Sequence, residues 1–339
     1  MSEPGRAPRR LFPGNMLPGM VFLVAMLLLG AALGVVYLKS KPAAETGPGG
    51  RGHHTLDSPY QARPFFHGQA QAQSNFSVGR AFPRNLSFAY LTRGYLWLSI
   101  TDLNTVTPSQ QYETAGLVTM SGDLAQYPFG RFLAYGVDHH QAADSPQQAI
   151  DWIHANAGAA YLASPLSAPA LDYQKIAALH DLDGIQVYNA RLAREEPNNA
   201  DATALWDRLL SSGHRLWGLV GDDTLDSSGP QSTLGRTAVD VQVAEQTPVL
   251  IEAALKQGAF VNGTGIRVLG VSTDNDTITV VTSDADEVKF IGKGGKVLQA
   301  SKGSRGDYHV RWDEGYIRAE ATRQVGDARA WTQPIYVNP

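Results

Sequence analysis

Several polar side chains capable of acid–base or metal chemistry follow short apolar runs that predict buried strands. These groups are Thr101-Asp102-Leu103-Asn104-Thr105, Asp123, Asp138-His139-His140, Ser164-Pro165, Asn189-Ala190 and Asp222-Asp223-Thr224-Leu225, with His67 before them. In parallel α/β folds, ligands bind where the carboxyl ends of the strands meet. A metal site there would need at least three converging His, Asp or Glu side chains. The same residue types also cap helices and form turns, so both interpretations stay open.

Several common catalytic motifs are missing from the sequence. It contains no cysteine, which excludes disulfides, thiolate nucleophiles and cysteine-bound metal clusters. There is no Gly-rich phosphate loop, dinucleotide fingerprint or Gly-x-Ser-x-Gly nucleophile motif. The 28 basic and 32 acidic residues give a net charge of −4 without a basic stripe, so no nucleic-acid partner is indicated.

Residues 61–262 alternate between short apolar runs and amphipathic segments of about ten residues. The predicted strands are 95–100, 132–137, 159–163, 184–188 and 215–220, and the predicted helices are 145–156, 173–180, 202–210 and 247–256. Strands that alternate with helices are typical of parallel βα units. The pattern therefore predicts an α/β domain over residues 61–262, built as an open layer or as a barrel.

The pattern changes after residue 262, where apolar residues recur at every second position. Ile278 and Val280 are one such pair, and Val288 and Phe290 are another. This alternation predicts antiparallel strands with one buried face, and Gly294-Gly295 is typical of a hairpin turn between two of them. Residues 263–339 are therefore predicted to form a small, β-sandwich-like antiparallel β domain.

The amino-terminal region contains a long apolar run without charged residues. Residues 17–38 are long enough to span a hydrocarbon core of about 30 Å as one transmembrane helix. Arginines concentrate before this run, in residues 1–16, so the positive-inside rule predicts a cytoplasmic tail and periplasmic soluble domains. Residues 39–60 are rich in Gly and Pro and are predicted to be a linker. These features together predict a single-pass protein of the inner membrane.

Four segments, in order, resemble the PHP (polymerase and histidinol phosphatase) superfamily of metal-dependent phosphoesterases. They are Ser99–Thr105, Gly184–Asn189, Leu205–Leu225 and Ala328–Val337. The resemblance covers residues 61–339 and is strongest to members in which a β domain follows the PHP domain. It implies an α/β fold, a distorted seven-stranded (βα) barrel of the PHP type, followed by the small antiparallel β domain. It also implies a cluster of two or three divalent metal ions held at strand ends.

The motifs that would hold such a cluster are degenerate in this sequence. Possible ligands remain at His67, Asp123 and Asp223. Where the family has histidines, this sequence has Gln69, Leu103, Arg131, Ser164 and Leu225. Leucine has no lone pair to offer, arginine is permanently cationic, and Ser and Gln are poor ligands for zinc or manganese. The replacements are therefore expected to remove the metal cluster and the activated water that hydrolysis requires.

The sequence accordingly predicts a membrane-anchored pseudoenzyme with no catalytic residues and no cofactor. It would serve as a binding or accessory structural subunit, attached to the membrane through residues 17–38 and associated with other subunits of a membrane complex. One alternative is an active PHP phosphoesterase that uses Zn or Mn through His67, Asp123, Asp223 and their neighbours. Another is a ligand-binding module that uses the vacated cleft, where Arg131 would suit a phosphate or carboxylate.

Overall fold

The computed structural model of the protein describes residues 54–338, and strands dominate this part of the chain. The strands are β1 (Thr55–Asp57), β2 (Phe65–Ala72), β3 (Trp97–Leu103), β4 (Val118–Tyr127), β5 (Gly130–Tyr135), β6 (Ala159–Ala163), β7 (Gly184–Asn189), β8 (Trp217–Gly221), β9 (Ala238–Gln242), β10 (Phe260–Gly263), β11 (Val268–Asp274), β12 (Thr277–Thr282), β13 (Glu287–Gly292), β14 (Lys296–Lys302), β15 (Arg305–His309), β16 (Tyr316–Arg323), β17 (Ala328–Trp331) and β18 (Ile335–Asn338). The helices are α1 (Pro83–Leu91), α2 (Pro146–Ala155), α3 (Tyr173–Ala177), α4 (Ala190–Glu195), α5 (Thr203–Ser211) and α6 (Pro248–Gln257).

Most of the strands belong to one mixed sheet. Along its main path the order is β1-β18-β16-β17-β10-β9-β2-β3-β4-β5-β6-β7-β8, with β13 paired to β16 and β14 to β13. Neighbours are parallel in β2–β3–β4 and β6–β7–β8, and antiparallel in β4–β5–β6 and β2–β9. The sheet curves into a half-barrel, and an isolated bridge between Ala72 and Thr224 joins the residue that ends β2 to the segment after β8.

The prediction of a distorted seven-stranded (βα) barrel is therefore wrong, because the molecule is a mixed half-barrel with a path of 13 strands and few helices. The cause lies partly in the connection between β4 and β5. Only Pro128 and Phe129 separate these strands. Such a turn reverses the chain into an antiparallel neighbour, whereas a parallel neighbour needs a crossover of a dozen residues or more.

The longer helices begin and end where local chemistry requires it. The Ser145 side chain accepts a hydrogen bond from the Gln148 amide at the start of α2, and Thr247 accepts one from the Leu250 amide at the start of α6. Such caps satisfy backbone donors that the first helical turn leaves free. Helix α6 ends at Gly258, whose φ of 73° is left-handed and favours glycine.

The second half of the described chain packs against the first rather than standing apart. The sheet passes from β10 into β17 without a break at residue 262. A separate three-stranded sheet, β11-β12-β15, covers an apolar core that includes Ile278 and Phe290. Arg318 on β16 forms a buried ion pair of 2.7 Å with Asp207 on α5. Residues 54–338 belong to one compact unit in consequence.

The predicted tail (1–16), the transmembrane segment (17–38) and nearly all of the predicted linker (39–60) up to residue 53 lie outside the described residues. Thr55–Asp57, at the end of that linker, form β1 and pair with β18. Between residues 54 and 338, no helix combines the length and the apolar character that crossing a bilayer requires. Membrane attachment therefore stays a prediction from the sequence.

Candidate functional site

The carboxyl ends of β3, β6 and β8 and the loop after β2 surround a small cavity of about 130 Å³. Its lining includes Val78, Leu103, Arg131, Ser164, Arg191 and Asp223. Three of the positions where the family has histidines therefore face the same cavity as one surviving carboxylate. The side chains converge because the strand ends meet at one edge of the curved sheet.

Asp223 is fully buried and is bound by three neighbours. Its Oδ1 accepts a hydrogen bond of 2.6 Å from the Gln73 side chain, and its Oδ2 accepts one from the Asn189 side chain. Arg191 donates to the same Oδ2 through Nε at 3.0 Å and Nη2 at 2.7 Å. A guanidinium thus lies where a carboxylate ligand would otherwise face a metal cation.

Asp102 lies at the end of β3 and holds the loop that follows β2. Its carboxylate accepts hydrogen bonds from the Ser74 amide, the Ser74 hydroxyl and the Ser77 hydroxyl, at 2.6, 2.6 and 2.7 Å. The Thr107 hydroxyl donates a further bond to Oδ2. With four donors on two oxygens, the carboxylate acts as a fixed anchor for backbone and hydroxyl groups.

Asp123 is the register partner of Asp102 on the neighbouring strand β4, but it binds a histidine. Its Oδ2 lies 2.7 Å from Nδ1 of His140. Burial raises the pKa of Asp123 from 3.8 to about 6, and the contact with His140 opposes this rise. His139 beside it turns outward to the exposed Asp138, so only one histidine of the Asp138-His139-His140 group enters the site.

Asp222 is also fully buried and holds a different segment. It accepts hydrogen bonds from the Tyr90 hydroxyl at 2.8 Å, the Gly235 amide at 2.6 Å, and the amide and hydroxyl of Thr237 at 2.6 and 3.0 Å. Burial raises its pKa to about 7 against the effect of these donors. This carboxylate joins α1 to the chain that leads into β9.

His67 and Gln69 on β2 have found partners away from the cavity. Nδ1 of His67 lies 2.7 Å from Asp240 on β9, and its ring packs 4.2 Å from the Tyr95 ring. The Gln69 side chain donates to Thr237 at 3.1 Å and accepts from three backbone amides, those of Ala70, Gln71 and Asp222. Both side chains stabilise the packing of β2 rather than pointing free into the cleft.

A chain of buried amides fills the centre of the half-barrel. Nε2 of Gln186 donates a hydrogen bond of 2.5 Å to Oε1 of Gln71. Oε1 of Gln186 accepts hydrogen bonds from the Ser164 backbone amide and from the Asn189 side chain. Two atoms of this network have no hydrogen-bond partner among residues 54–338: Nε2 of Gln71 and Oε1 of Gln73. Unpaired buried polar atoms are uncommon and mark places where a further group could bind.

Arg131 and Leu225 are two further positions where the family has histidines. Arg131 donates from Nε to Gln126 at 2.7 Å and from Nη2 to the Ala168 carbonyl at 2.8 Å. Burial and the nearby Arg191 lower the pKa of its guanidinium. Leu225 faces a second cavity of about 220 Å³, on the other side of Arg191.

The residues present do not fit the metal cluster that the resemblance implies. Among residues 54–338, no three His, Asp or Glu side chains lie close enough to share a metal ion. The surviving candidates are divided between separate partners: His67 binds Asp240, Asp123 binds His140, and Asp223 binds Arg191. Leucine at 103 and 225 offers no donor atom, and the guanidinium of Arg131 repels cations.

Comparison with known proteins gives only distant structural neighbours. No family model and no curated protein matches the sequence. One similar solved structure is a two-domain protein containing a predicted PHP-like metal-dependent phosphoesterase from Bacteroides vulgatus ATCC 8482. It is 13% identical with a TM-score of 0.42, over 80% of this chain and 87% of that one.

A second similar structure is a lesion-specific endonuclease from Pyrococcus furiosus. It is 12% identical with a TM-score of 0.41, over 57% of this chain and 56% of that one. The first of these neighbours contains a predicted member of the superfamily that the sequence motifs resemble, but at 12 to 13% identity neither neighbour bears on the ligand positions of this chain. The degenerate ligand positions must therefore be judged from the side chains of this chain.

The sequence patterns did not reveal Arg191, or that Gln69 belongs to a series of buried glutamines with Gln71 and Gln73. Gln69, Gln71 and Gln73 recur at every second residue of β2 and its continuation. All three are at most 1% exposed. In this strand, glutamines alternate with alanines, and this alternation could have indicated a polar interior. Arg191 carries no such signal, because it lies two residues after the helix-capping Asn189, in a short helix where an arginine is ordinarily read as a surface residue.

Proposed function

We propose that this protein hydrolyses no phosphoester and acts as a binding or accessory structural protein. The observation that carries the proposal is the use of the buried carboxylates at the strand ends as internal hydrogen-bond acceptors. Asp102 and Asp222 each hold four donors, and Asp223 is paired with Arg191. To bind a metal ion, these groups would have to give up bonds that hold backbone segments in place.

The electrostatics of the cleft support the same proposal. Metal-assisted hydrolysis needs a cation that activates a water molecule and stabilises charge on the phosphoryl oxygens. Here Arg131 and Arg191 supply fixed positive charge. Unlike a metal ion, a guanidinium cannot bind and activate a water molecule as a Lewis acid, and because it stays protonated it cannot take a proton from water. The two arginines provide no nucleophile, and Asp223 and Glu196 in the same lining balance their charge.

A second candidate function, ligand binding in the cleft, is favoured by one specific observation. Oε1 of Gln73 is buried without a partner, and Gln73 lines the 130 Å³ cavity together with Arg131. A small ligand that carries both a donor and a carboxylate or phosphate group would satisfy both side chains. Cavities of this size hold only a small group, so the cleft would take the end of a ligand.

We further propose that the protein acts at the inner membrane, attached through residues 17–38 with its soluble part in the periplasm. The apolar run and the arginines before it in the sequence support this location. A non-hydrolytic domain held at a membrane is well suited to be an accessory subunit of a membrane protein complex. Co-purification of partner subunits with the full chain in mild detergent tests this part of the proposal.

The test of the catalytic part is a phosphoesterase assay on the full chain with added manganese or zinc. We expect no turnover above background with a generic phosphodiester substrate. The matched control is Asp223→Ala, which removes the buried carboxylate most central to the cleft. Hydrolysis by the wild type that is lost in this variant would show an active enzyme and overturn the proposal.

A further inference from the structure

One surface beside the cleft exposes large apolar side chains without a covering partner in the described chain. It comprises Phe76, Val78, Phe82 and Phe88, with Arg80 and Arg84 between them, and is here called the Phe–Arg surface. The relative exposures of its apolar side chains are 50, 51, 62 and 62% in chain order. Four such residues within 13 positions of the chain are more than single exposed side chains on a surface would give, and exposed apolar groups of this kind are typical of interaction sites.

The backbone holds these side chains outward. The loop after β2 is fixed by the bonds from Ser74 and Ser77 to Asp102, and it is closed by a bond from the Asn75 amide to the Ala81 carbonyl at 2.9 Å. The Arg80 amide donates to the Leu225 carbonyl at 2.7 Å. The loop therefore cannot retract its apolar side chains by a small local shift.

Helix α1 continues the same surface. Its inward stripe includes Leu86, Ser87 and Tyr90, which are fully buried. Arg84 and Phe88, one turn apart, lie on the opposite, exposed side. The helix thus presents an arginine and a phenylalanine outward while its other face is already satisfied by the core, so the exposed face needs no further packing within the chain.

The charge on this segment has one sign. Residues 75–93 contain Arg80, Arg84 and Arg93 and no Asp or Glu. Arg80 pairs with Asp226 across 3.2 Å at the surface. Within residues 54–338, neither Arg84 nor Arg93 forms a salt bridge, although Arg93 donates to the Ala89 carbonyl. Apolar side chains interleaved with arginines, of which Arg84 forms no salt bridge within residues 54–338, are complementary to a surface that is both apolar and anionic.

We propose that the Phe–Arg surface docks on the anionic lipid headgroups of the membrane to which the chain is attached. This inference rests on the proposed membrane attachment. The segment between residue 38 and residue 54 has 15 residues, so even fully extended it reaches only about 50 Å. The domain is therefore kept close to the bilayer, and the phenylalanines enter the headgroup boundary while the arginines bind the phosphates.

The absence of cysteine permits a direct test in the full chain. We would introduce Asn85→Cys, which lies on the exposed side of α1, attach a nitroxide label, and insert the protein into nanodiscs. One set of nanodiscs contains phosphatidylcholine with 30% phosphatidylglycerol, which is roughly the anionic fraction to which polybasic segments respond. The other set contains phosphatidylcholine alone. The matched control label is Val325→Cys, in the exposed turn between β16 and β17.

We expect oxygen accessibility typical of lipid at position 85 in the anionic nanodiscs and water-like accessibility at position 325. The lipid-exposed population at position 85 should fall roughly fivefold or more in Arg84→Glu/Arg93→Glu and in uncharged lipid. Water-like accessibility at position 85 in both lipids, with the chain retained in the disc, would refute docking but leave attachment intact.

Two further outcomes are also decisive. Failure of the whole chain to co-purify with the nanodiscs would overturn membrane attachment, and the docking proposal with it. Protection of position 85 in native membranes alone, without any response to lipid charge, would assign the surface to a protein partner and refute the lipid proposal.

Discussion

At the residue scale, buried carboxylates at the strand ends accept hydrogen bonds that hold separate segments of the chain together. Asp102, Asp222 and Asp223 are each at most 1% exposed, and every one is bound by donors from at least two segments. The sequence predicted that Leu103, Ser164 and Asp223 follow strands, and in the structure these residues and Arg131 line one cavity. It could not show that Arg191 pairs with Asp223, because that contact depends on a side-chain conformation between separate elements.

Replacing Asp102 with Ala should destabilise the fold by about 3 kcal/mol, because buried donors on Ser74, Ser77 and Thr107 would lose their acceptor. Chemical unfolding of the full chain in detergent measures the change. The matched control is Asp226→Ala, which removes only a surface ion pair with Arg80 and should cost under about 1 kcal/mol. Equal effects of the two variants would contradict the anchoring role of Asp102.

Asp123 predicts a pH dependence of stability. Because burial raises its folded-state pKa from 3.8 to about 6, the folded protein binds this proton more tightly than the unfolded chain does. This contribution to stability is complete below pH of about 4 and is lost as the pH rises through about 6. Between pH 4 and 7, the wild type should lose on the order of 2 kcal/mol more stability than Asp123→Asn.

Unfolding curves of the wild type and Asp123→Asn, recorded at several pH values between 4 and 7, measure this difference. Asp138→Asn is a suitable control, because Asp138 is exposed and lies beside the same pair of histidines. Parallel pH profiles for the wild type and Asp123→Asn would show that the carboxyl group titrates normally in the folded protein.

At the element scale, apolar runs correctly predicted strands and helices whose buried residues are all apolar. The strand predicted at 159–163 agrees with β6, and the helix predicted at 247–256 lies within one residue of α6. Strands β2 and β4 were missed because they carry buried polar residues such as Gln69 and Asp123. Polar residues interrupt the hydrophobic pattern from which strands are predicted, although a closed hydrogen-bond network makes their burial possible.

The contact between α5 and β16 links the two halves of the described chain. Arg318 is 2% exposed, donates to both oxygens of Asp207, and lies over the Trp206 ring at 5.1 Å. Arg318→Met should destabilise the protein by about 3 to 5 kcal/mol, because it leaves Asp207 buried without its cation. The double variant Arg318→Met/Asp207→Leu should recover much of this loss, since apolar pairs can replace buried ion pairs.

Thermal and chemical unfolding of these variants provide the measurement, with Lys289→Ala as control. Lys289 forms a partly exposed ion pair with Glu287, which contributes little. If Arg318→Met were no more damaging than Lys289→Ala, the α5–β16 contact would not hold the two halves together.

At the scale of the whole molecule, the order of strands could not be obtained from the sequence. Local patterns specify where strands lie, but the insertion of β9, β10, β17 and β16 beside β2 depends on contacts between distant segments. The same continuity predicts one cooperative unfolding transition, because the sheet crosses the boundary that the change in hydrophobic pattern suggested at residue 262. Two separate transitions, reported by tryptophans on either side of that boundary, would contradict this expectation.

The central claim is that the cleft no longer holds a metal cluster. The most direct test is elemental analysis of the full chain, purified without chelator after growth with added manganese and zinc. The account predicts well under one tightly bound metal ion per chain, in the wild type and in Asp223→Ala alike, because the candidate ligands are already bound to internal partners. One or more stoichiometric metal ions in the wild type, lost in Asp223→Ala, would contradict it.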